Sequence, residues 1–440
     1  MLQRRHLVRV IVGLIRDELQ RHRKTFAPDD PFGEIVRANE LNDETPITGG
    51  GFGADSLELL SLAGRLNQFF HLHEAGIEEY LLRRRTLGDW TDVVQQALSI
   101  GTSGITFQTS GSTGTPKRCT HAWQTLQREA EYLSVLLARS ASTGFTGQIL
   151  ACVQPQHIYG FLFTALVPSL TECTVLEGLY GSPATLLKTL QRGDVIVSFP
   201  TYWQYVASSI AVFPNGILGV TSTAPCGEDL KRELLSKGLE RLVEVYGSSE
   251  TGGVGFRTST SEVLAEWYEL FPYWTLEEAR SSDDTRFDDT RFDDTRSDDA
   301  RHYAVRDDVR QIRLADALAL EGTVEDTRTA GKRQLFKPVG RLDGAVQVGG
   351  VNVFPSAVAE RICTLECVKE CAVRLMRPDE GTRLKAFIVL HEAWAAEKRE
   401  ECISKIQQFI RQECSTAEQP TSLTFGTALP RNSMGKLIDW

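Results

Sequence analysis

The chain has 440 residues, with 48 lysines and arginines against 58 aspartates and glutamates, a formal charge of -10. That length allows a large core and a division into two or three domains, and the acidic balance, with no concentrated basic segment, argues against nucleic acid as the main partner. Nine cysteines, without a secretory signal or a run long enough to span a membrane, point to reduced thiols and a cytoplasmic protein.

Residues 1–98 predict a small helical domain. In "RRHLVRVIVGLIRDELQRHR" the apolar stretch is short, interrupted by Arg9 and followed by charge, so it reads as an amphipathic helix and not as a leader. Two further helices follow in "DSLELLSLAGRLNQFF" and "TLGDWTDVVQQAL". Next comes "FQTSGSTGTPK", Phe107 to Lys117. It is not the P-loop of kinases, because Gly111 and Gly114 lie too close together, Pro116 precedes Lys117, and Arg118 stands where a metal-binding hydroxyl belongs. Its glycines still leave backbone amides free to converge on phosphate, and Thr109, Ser110, Ser112, Thr113 and Thr115 add hydroxyls. Two readings stand at this point, a polyphosphate clamp and an ordinary Gly/Ser/Thr turn.

From 103 to 341 the texture becomes short apolar runs ("QILACVQP", "DVIVSFP", "GILGVTS", "RLVEVYG") between helical patterns, which predicts an α/β core domain with buried strands. "VQPQHIYGFLF" places His157 after one strand, beside Tyr159 and Gly160; "GVTSTAPCGED" and "VEVYGSSETGG" run two others into turns of small residues, as at the carboxyl ends of a ligand-binding sheet. There Tyr246 offers a flat ring and Glu250 a carboxylate suited to a nucleotide–metal site. The five-residue repeat from Asp283 to Arg301 lacks an apolar face and reads as a disordered insertion. Residues 342–440 form a third unit, with strands in "VKECAVRLM" and "RLKAFIVL" and a helix in "AAEKREECISKIQQFIRQEC". Cys363, Cys367 and Cys371, spaced C-x3-C-x3-C, read as structural thiols and not as cluster ligands. "KPVGRLDGAVQVGGVNVFP" and "LPRNSMGKLIDW" supply Arg341, Asp343, Gly349, Gly350 and Lys436.

In this order the motifs resemble the adenylate-forming, or AMP-binding, superfamily over about residues 103–440. The resemblance implies a large α/β core and a small mobile α+β C-terminal domain. It implies that Thr109, Ser110, Gly111, Ser112, Thr113, Gly114 and Lys117 hold the ATP phosphates, and that Glu250 with Thr113 holds Mg2+. Tyr246 would stack on adenine, Gly247 beside it would contact ATP, and Ala224 and Pro225 would line the adenine pocket. Asp316 takes the place of the ribose-binding aspartate, although Leu314–Ala315 stands where Thr-Gly is usual. Arg341 would hold ribose or phosphate, Asp343 would be the hinge, and Lys436 would bridge carboxylate and α-phosphate. His157, Tyr159, Gly160 and Trp203 would line the acid pocket, with His157, Glu250 and Lys436 as the catalytic set. Gly349 and Gly350 would line the thiol tunnel, and Gln347 stands where relatives often have lysine. The implied chemistry joins a carboxylic acid to ATP as an acyl-adenylate and then transfers the acyl group to the thiol of CoA. In its compactness the sequence is most similar to bacterial 4-coumarate–CoA ligases of the photoactive yellow protein chromophore type, with 4-hydroxybenzoate-activating enzymes near them.

"GFGADSLELLSLAGRLNQFF" also resembles the Asp-Ser-Leu site of acyl carrier proteins, which makes Ser56 a candidate for phosphopantetheine; Asp-Ser opening a helix is equally good capping chemistry. Three functions follow: an aryl-CoA ligase, an enzyme that loads a carrier (its own Ser56 or a partner acyl carrier protein), and a non-catalytic nucleotide-binding protein. The presence of Lys436 and Glu250 weighs against the third. The expected partners are an aromatic acid and CoA, with no nucleic acid and no membrane.

Overall fold

The computed structural model describes residues 2–23, 41–109, 117–140, 147–178, 187–278, 301–326, 331–341, 344–377, 379–391, 394, 398–431 and 440. They form two compact units. One holds the described residues to Thr109 and those from Lys117 to Pro272, the other those from Tyr273 to Trp440. No helix among them is long and apolar enough to cross a membrane.

The first unit opens with three long helices and, before the third, a single turn of helix at Tyr80–Arg83. In α1 (Arg4–Arg23) Leu7, Val10, Ile11, Leu14 and Ile15 recur every three or four residues and are buried. Helix α2 (Ser56–Phe70) starts at a capping box, Asp55 accepting from the Glu58 amide while the Glu58 carboxylate accepts from the Asp55 amide, and it ends on His71 with φ 56°. Thr86 and Asp89 repeat the capping box at α3 (Leu87–Ile100).

An antiparallel ribbon follows, β1 (Gly104–Thr109) with β2 (Lys117–Ala122), and then α4 (Trp123–Ser140). The core of the unit is a sheet of β3 (Ile149–Ala151), β4 (Val175–Glu177), β5 (Val195–Ser198), β6 (Leu218–Thr221), β7 (Arg241–Ser248), β8 (Gly252–Ser259) and β9 (Tyr268–Leu270), ordered β9-β8-β7-β6-β5-β3-β4. Strands β4, β3, β5, β6 and β7 are parallel, and β8 and β9 continue antiparallel. The apolar runs of β5 and β6 are wholly buried because α5 (Pro200–Ser209) and α6 (Glu228–Ser236) help cover one face.

The helical segment is a layer of this unit. The Gln3 amide donates to Ser169 Oγ (3.1 Å) and Arg9 Nη1 to the Thr164 carbonyl (2.5 Å). Phe69 of α2, Phe107 of β1 and Phe161 form an edge-on aromatic cluster with centroids 5.4 to 6.0 Å apart. A separate carrier-like body over residues 1–98 therefore finds no support: α1 packs against α2 and α3 and also against the Leu162–Leu166 segment, so the helices are joined to the sheet unit and do not close a core apart from it.

The second unit contains an antiparallel meander of β10 (Thr275–Glu278), β11 (Arg301–Arg306), β12 (Gln311–Asp326) and β13 (Gly331–Arg341). A hairpin of β14 (Val346–Val348) and β15 (Val351–Val353) comes next. Helix α7 (Pro355–Cys363) packs with β16 (Val368–Leu375), β17 (Leu384–Leu390), α8 (Arg399–Glu413) and β18 (Pro420–Gly426) around an apolar core that includes Cys367, Cys402 and Cys414. Of the repeat at 283–301, residues 283–300 lie outside the described residues, whereas Arg301, expected in a disordered insertion, opens β11 because it pairs in register with Leu318 of β12.

Candidate active site

Parallel strands deliver their following loops to one edge of a sheet, so the carboxyl ends of β3, β6 and β7 gather three of the segments singled out above. After β3 the chain turns through Gln154–Gln156 into a short helix, Ile158–Phe161, with His157 at its start. Gly160 is required there, since a Cβ would stand 2.0 Å from the Gln154 carbonyl oxygen. Tyr159 is buried and its hydroxyl donates to the Ser198 carbonyl at the end of β5 (2.9 Å). His157 Nε2 lies 2.7 Å from Gln154 Oε1. The surrounding protein holds its ring below the ordinary imidazole range. Desolvation is the main cause; Arg21 and Arg65 lower it further and Asp17 opposes them. The imidazole is therefore neutral at pH 7.

After β6, Thr223 adopts φ 75°, a strained conformation for a β-branched residue, just before Ala224 and Pro225. Ser222 Oγ donates to the Val245 carbonyl (2.7 Å), tying this turn to β7. Tyr246 is half-buried, its ring 5.7 Å from that of Tyr268, and a Cβ on Gly247 would meet the Gly252 carbonyl oxygen at 2.1 Å.

The turn after β7 carries Glu250, and β2 holds it from the other side. Lys117, Cys119 and His121 share one face of β2 by strand alternation. Lys117 Nζ donates to Glu250 Oε1 at 2.6 Å, and His121 Nε2 lies 2.7 Å from the Ser249 carbonyl oxygen. Burial pushes the Glu250 carboxyl up, but the hydrogen bonds from Lys117 and its own backbone amide outweigh it and keep the pKa below the usual carboxylate value. The result is an ionised, partly accessible carboxylate already carrying a cation. Its oxygen donor and its tolerance of positive charge fit a hard divalent ion.

Beneath Tyr246 lies a buried ion triad. Glu244 accepts from Lys231 Nζ (2.9 Å) and from Arg257 Nε and Nη2 (2.8 and 2.7 Å), and the Arg257 guanidinium stacks 4.4 Å from the Tyr268 ring centroid. Sequence reading missed this triad and Thr223. It also missed His121, which the alternation of β2 from Lys117 was enough to find.

Two predicted residues take other places. Trp203 is fully buried, packing in the apolar core with Leu234 and Phe213, its indole donating to the Val220 carbonyl (3.3 Å). Ser56 is the exposed first residue of α2, behind the Asp55 cap, so the Asp-Ser pair is doing capping chemistry, and phosphopantetheine attachment has no support.

In the second unit Asp316 and Arg341 are register partners across β12 and β13, which brings the two expected ribose contacts side by side along the backbone. Gly349 (φ 58°) and Gly350 (φ 82°) are the two turn residues between β14 and β15, where positive φ at both positions is required. Gln347 donates to Asn352 across that hairpin. Ser110, Gly111, Ser112, Thr113, Gly114, Asp343 and Lys436 lie outside the described residues, as do the side chains of Thr109 and Arg341.

Residues 105–270 match the family model described as AMP-binding enzyme. Over 431 residues the chain is 35% identical to a 4-coumarate–CoA ligase of Halorhodospira halophila, covering 97% of this chain and 99% of that protein. Over 437 residues it is 33% identical to a 4-coumarate–CoA ligase of Rhodobacter capsulatus, covering 98% and 99%. Among solved structures, a double mutant of the o-succinylbenzoate CoA synthetase of Bacillus subtilis, bound with a product analogue, is similar at a TM-score of 0.57 and 17% identity, over 76% of this chain and 67% of that one.

Proposed function

We propose, from the premise that this chain belongs to the AMP-binding enzyme family and is an acid–CoA ligase, that its acid is aromatic, of the 4-coumarate or 4-hydroxybenzoate type. The observation that carries this reading is the end-to-end similarity, at 35% and 33% identity, to two proteins named 4-coumarate–CoA ligase. The site is consistent with it: an anchored, ionised Glu250 and the His157 and Ala224–Pro225 segments meet at one sheet edge.

In the first half-reaction a carboxylate oxygen attacks the α-phosphorus of ATP, a new C–O–P linkage forms, and the bond to the β-phosphate breaks to release pyrophosphate. Thr109 to Gly114 hold the β- and γ-phosphates through backbone amides and hydroxyls, with Lys117 at the end of the segment. Glu250 and Thr113 would hold Mg2+, which when bound would supply positive charge against the charge developing on the phosphoryl oxygens. Tyr246 and Gly247 take adenine beside Ala224 and Pro225, while Asp316 and Arg341 hold the ribose. Lys436 places an ammonium between the carboxylate and the α-phosphate. Neutral His157 with Tyr159 and Gly160 borders the acid and adds no further positive charge. In the second half-reaction the CoA thiolate attacks the acyl carbon and AMP leaves, the arm passing Gly349 and Gly350 after a rotation about Asp343.

Carboxylate-dependent exchange of pyrophosphate into ATP, across a panel of aryl and fatty acids, tests the substrate class. Exchange is expected with 4-coumarate or 4-hydroxybenzoate. Strong exchange with long fatty acids and none with aryl acids overturns the reading.

A further inference from the structure

The His157 turn is walled by the helical layer. Helix α1 lies against it so closely that a Cβ on Gly13 would stand 2.5 Å from Gln156 Oε1 and 3.0 Å from Pro155. One turn further along the same face of α1 is Asp17, whose Oδ2 lies 4.0 Å from Arg65 Nη2 on α2. One turn beyond Arg65 on α2 is Phe69, which packs on Phe161, itself one turn beyond His157. Arg65 and Gln156 thus border the same face of α1 one turn apart, at Asp17 and at Gly13. The charges of Asp17, Arg21 and Arg65 all act on the His157 ring.

Both residues are buried and incompletely satisfied. The Arg65 side chain is 4% exposed, and its Nε and Nη1 have no hydrogen-bond partner among the described residues. Asp17 does not fill the gap, since it is beyond hydrogen-bond distance of Arg65 and is taken by Arg21 (2.7 Å). Gln156 is 3% exposed; its Nε2 donates to Gln154 (3.3 Å), and its Oε1 accepts nothing among the described residues. Leaving such groups unpaired in the interior is unfavourable, so a ligand group that satisfies both is favoured there. The unsatisfied set is a cationic donor and a neutral acceptor. A carboxylate on the ligand would complement the first and be repelled by the second. A hydroxyl complements both, accepting from Arg65 and donating to Gln156.

We propose that Arg65 and Gln156 are specificity-determining residues that hold a hydroxyl group on the distal end of the aryl acid. The proposal deepens the aryl-acid reading and rests on it. It also assigns the helical layer a role: α2 supplies a substrate contact, and α1 sets its distance from the His157 turn.

The test compares 4-coumarate with cinnamate, which differ by the distal hydroxyl alone, in acid-dependent pyrophosphate exchange. Wild type is expected to prefer 4-coumarate in kcat/KM. In Arg65→Met and in Gln156→Met that preference is expected to shrink by roughly 10- to 100-fold, because a site built to hydrogen-bond a hydroxyl loses discrimination when its partner is removed. The KM for ATP is the control readout and stays within a few-fold. Equal losses with both acids, or an undiminished preference in the variants, overturns the proposal while leaving the aryl-acid reading in place. Failure of wild type to exchange with any aryl acid overturns both. Gln156→Met carries the test should the Arg65 variant not fold.

Discussion

Glu250 and His6 show how the same desolvation acts in opposite senses according to what stands beside the group. At Glu250 the Lys117 ammonium outweighs burial and keeps the carboxylate charged. Lys117 is well exposed and Glu250 partly so, and solvent screening of such a pair means that it adds little to stability. Glu250→Gln is therefore expected to leave the thermal midpoint within a few degrees while lowering acid-dependent pyrophosphate exchange by roughly two to three orders of magnitude; a folded variant with full exchange contradicts the assigned role. His6 has no such partner. It is 1% exposed, its Nδ1 is unsatisfied among the described residues, and desolvation followed by Arg5 and Arg9 brings its pKa down to about 4. The unfolded chain takes up that proton near the ordinary value of about 6.5. The stability from a neutral His6 is thus complete above that pH, declines as pH falls, and is lost below the folded value, a contribution on the order of 2 kcal/mol. Denaturant midpoints at pH 7.5 and 4.5 check this: His6→Gln is expected to flatten the acid-side decline, and an unchanged slope assigns it to other groups.

Among the elements, the strands β5, β6 and β7 were legible because buried parallel strands are written as unbroken apolar runs ending in small residues. Two things were not. Amphipathic spacing shows that a helix has a face to bury but not what that face meets, so α1 and α2 read as a body of their own. Asp55–Ser56 resembled a modification site because a capping box and a carrier motif use the same residues. The ion triad was equally hidden, since Glu244 and Arg257 lie 13 positions apart and meet only through the antiparallel register of β7 and β8. Its glutamate is 3% exposed and faces two cations, so Glu244→Gln leaves Lys231 and Arg257 buried without their shared anion. Loss of about 3–5 kcal/mol of unfolding free energy is expected from chemical denaturation. The KM for ATP is expected to rise with it, because Arg257 lies over the Tyr268 ring and Tyr268 packs at a tilt against Tyr246. A loss below about 1 kcal/mol, measured in the same way, would mean that water compensates the pair.

At the scale of the whole chain, the question is whether residues 1–98 are a module or a layer. Similarity covering 97% and 98% of the chain includes this segment in what is shared with the two curated ligases. Its contacts argue for a layer. Phe69 closes the cluster of Phe107 and Phe161, Arg9 reaches the Thr164 carbonyl and pairs with Glu177 of β4, and Gly13 exists where a side chain would strike the Gln156 turn. Removing the segment would expose those aromatic rings and return a buried guanidinium and its acceptors to water. The segment alone would in turn expose the stripe of α1 that lies on the Pro155–Thr164 region. A fragment of residues 1–98 is accordingly expected to melt without a cooperative transition, and a chain of residues 99–440 to bind a hydrophobic dye and aggregate. Gly13→Val probes the same contact in the intact chain. Its added carbons meet Gln156 and Pro155, so destabilisation of about 1–3 kcal/mol is expected from overpacking. Altered discrimination between hydroxylated and plain aryl acids should accompany it, because the strain falls on the turn that carries Gln156 and His157. A cooperative melt of the isolated fragment, together with wild-type stability and selectivity in Gly13→Val, would make the helices an independent appendage and leave the sheet unit to hold its substrate alone.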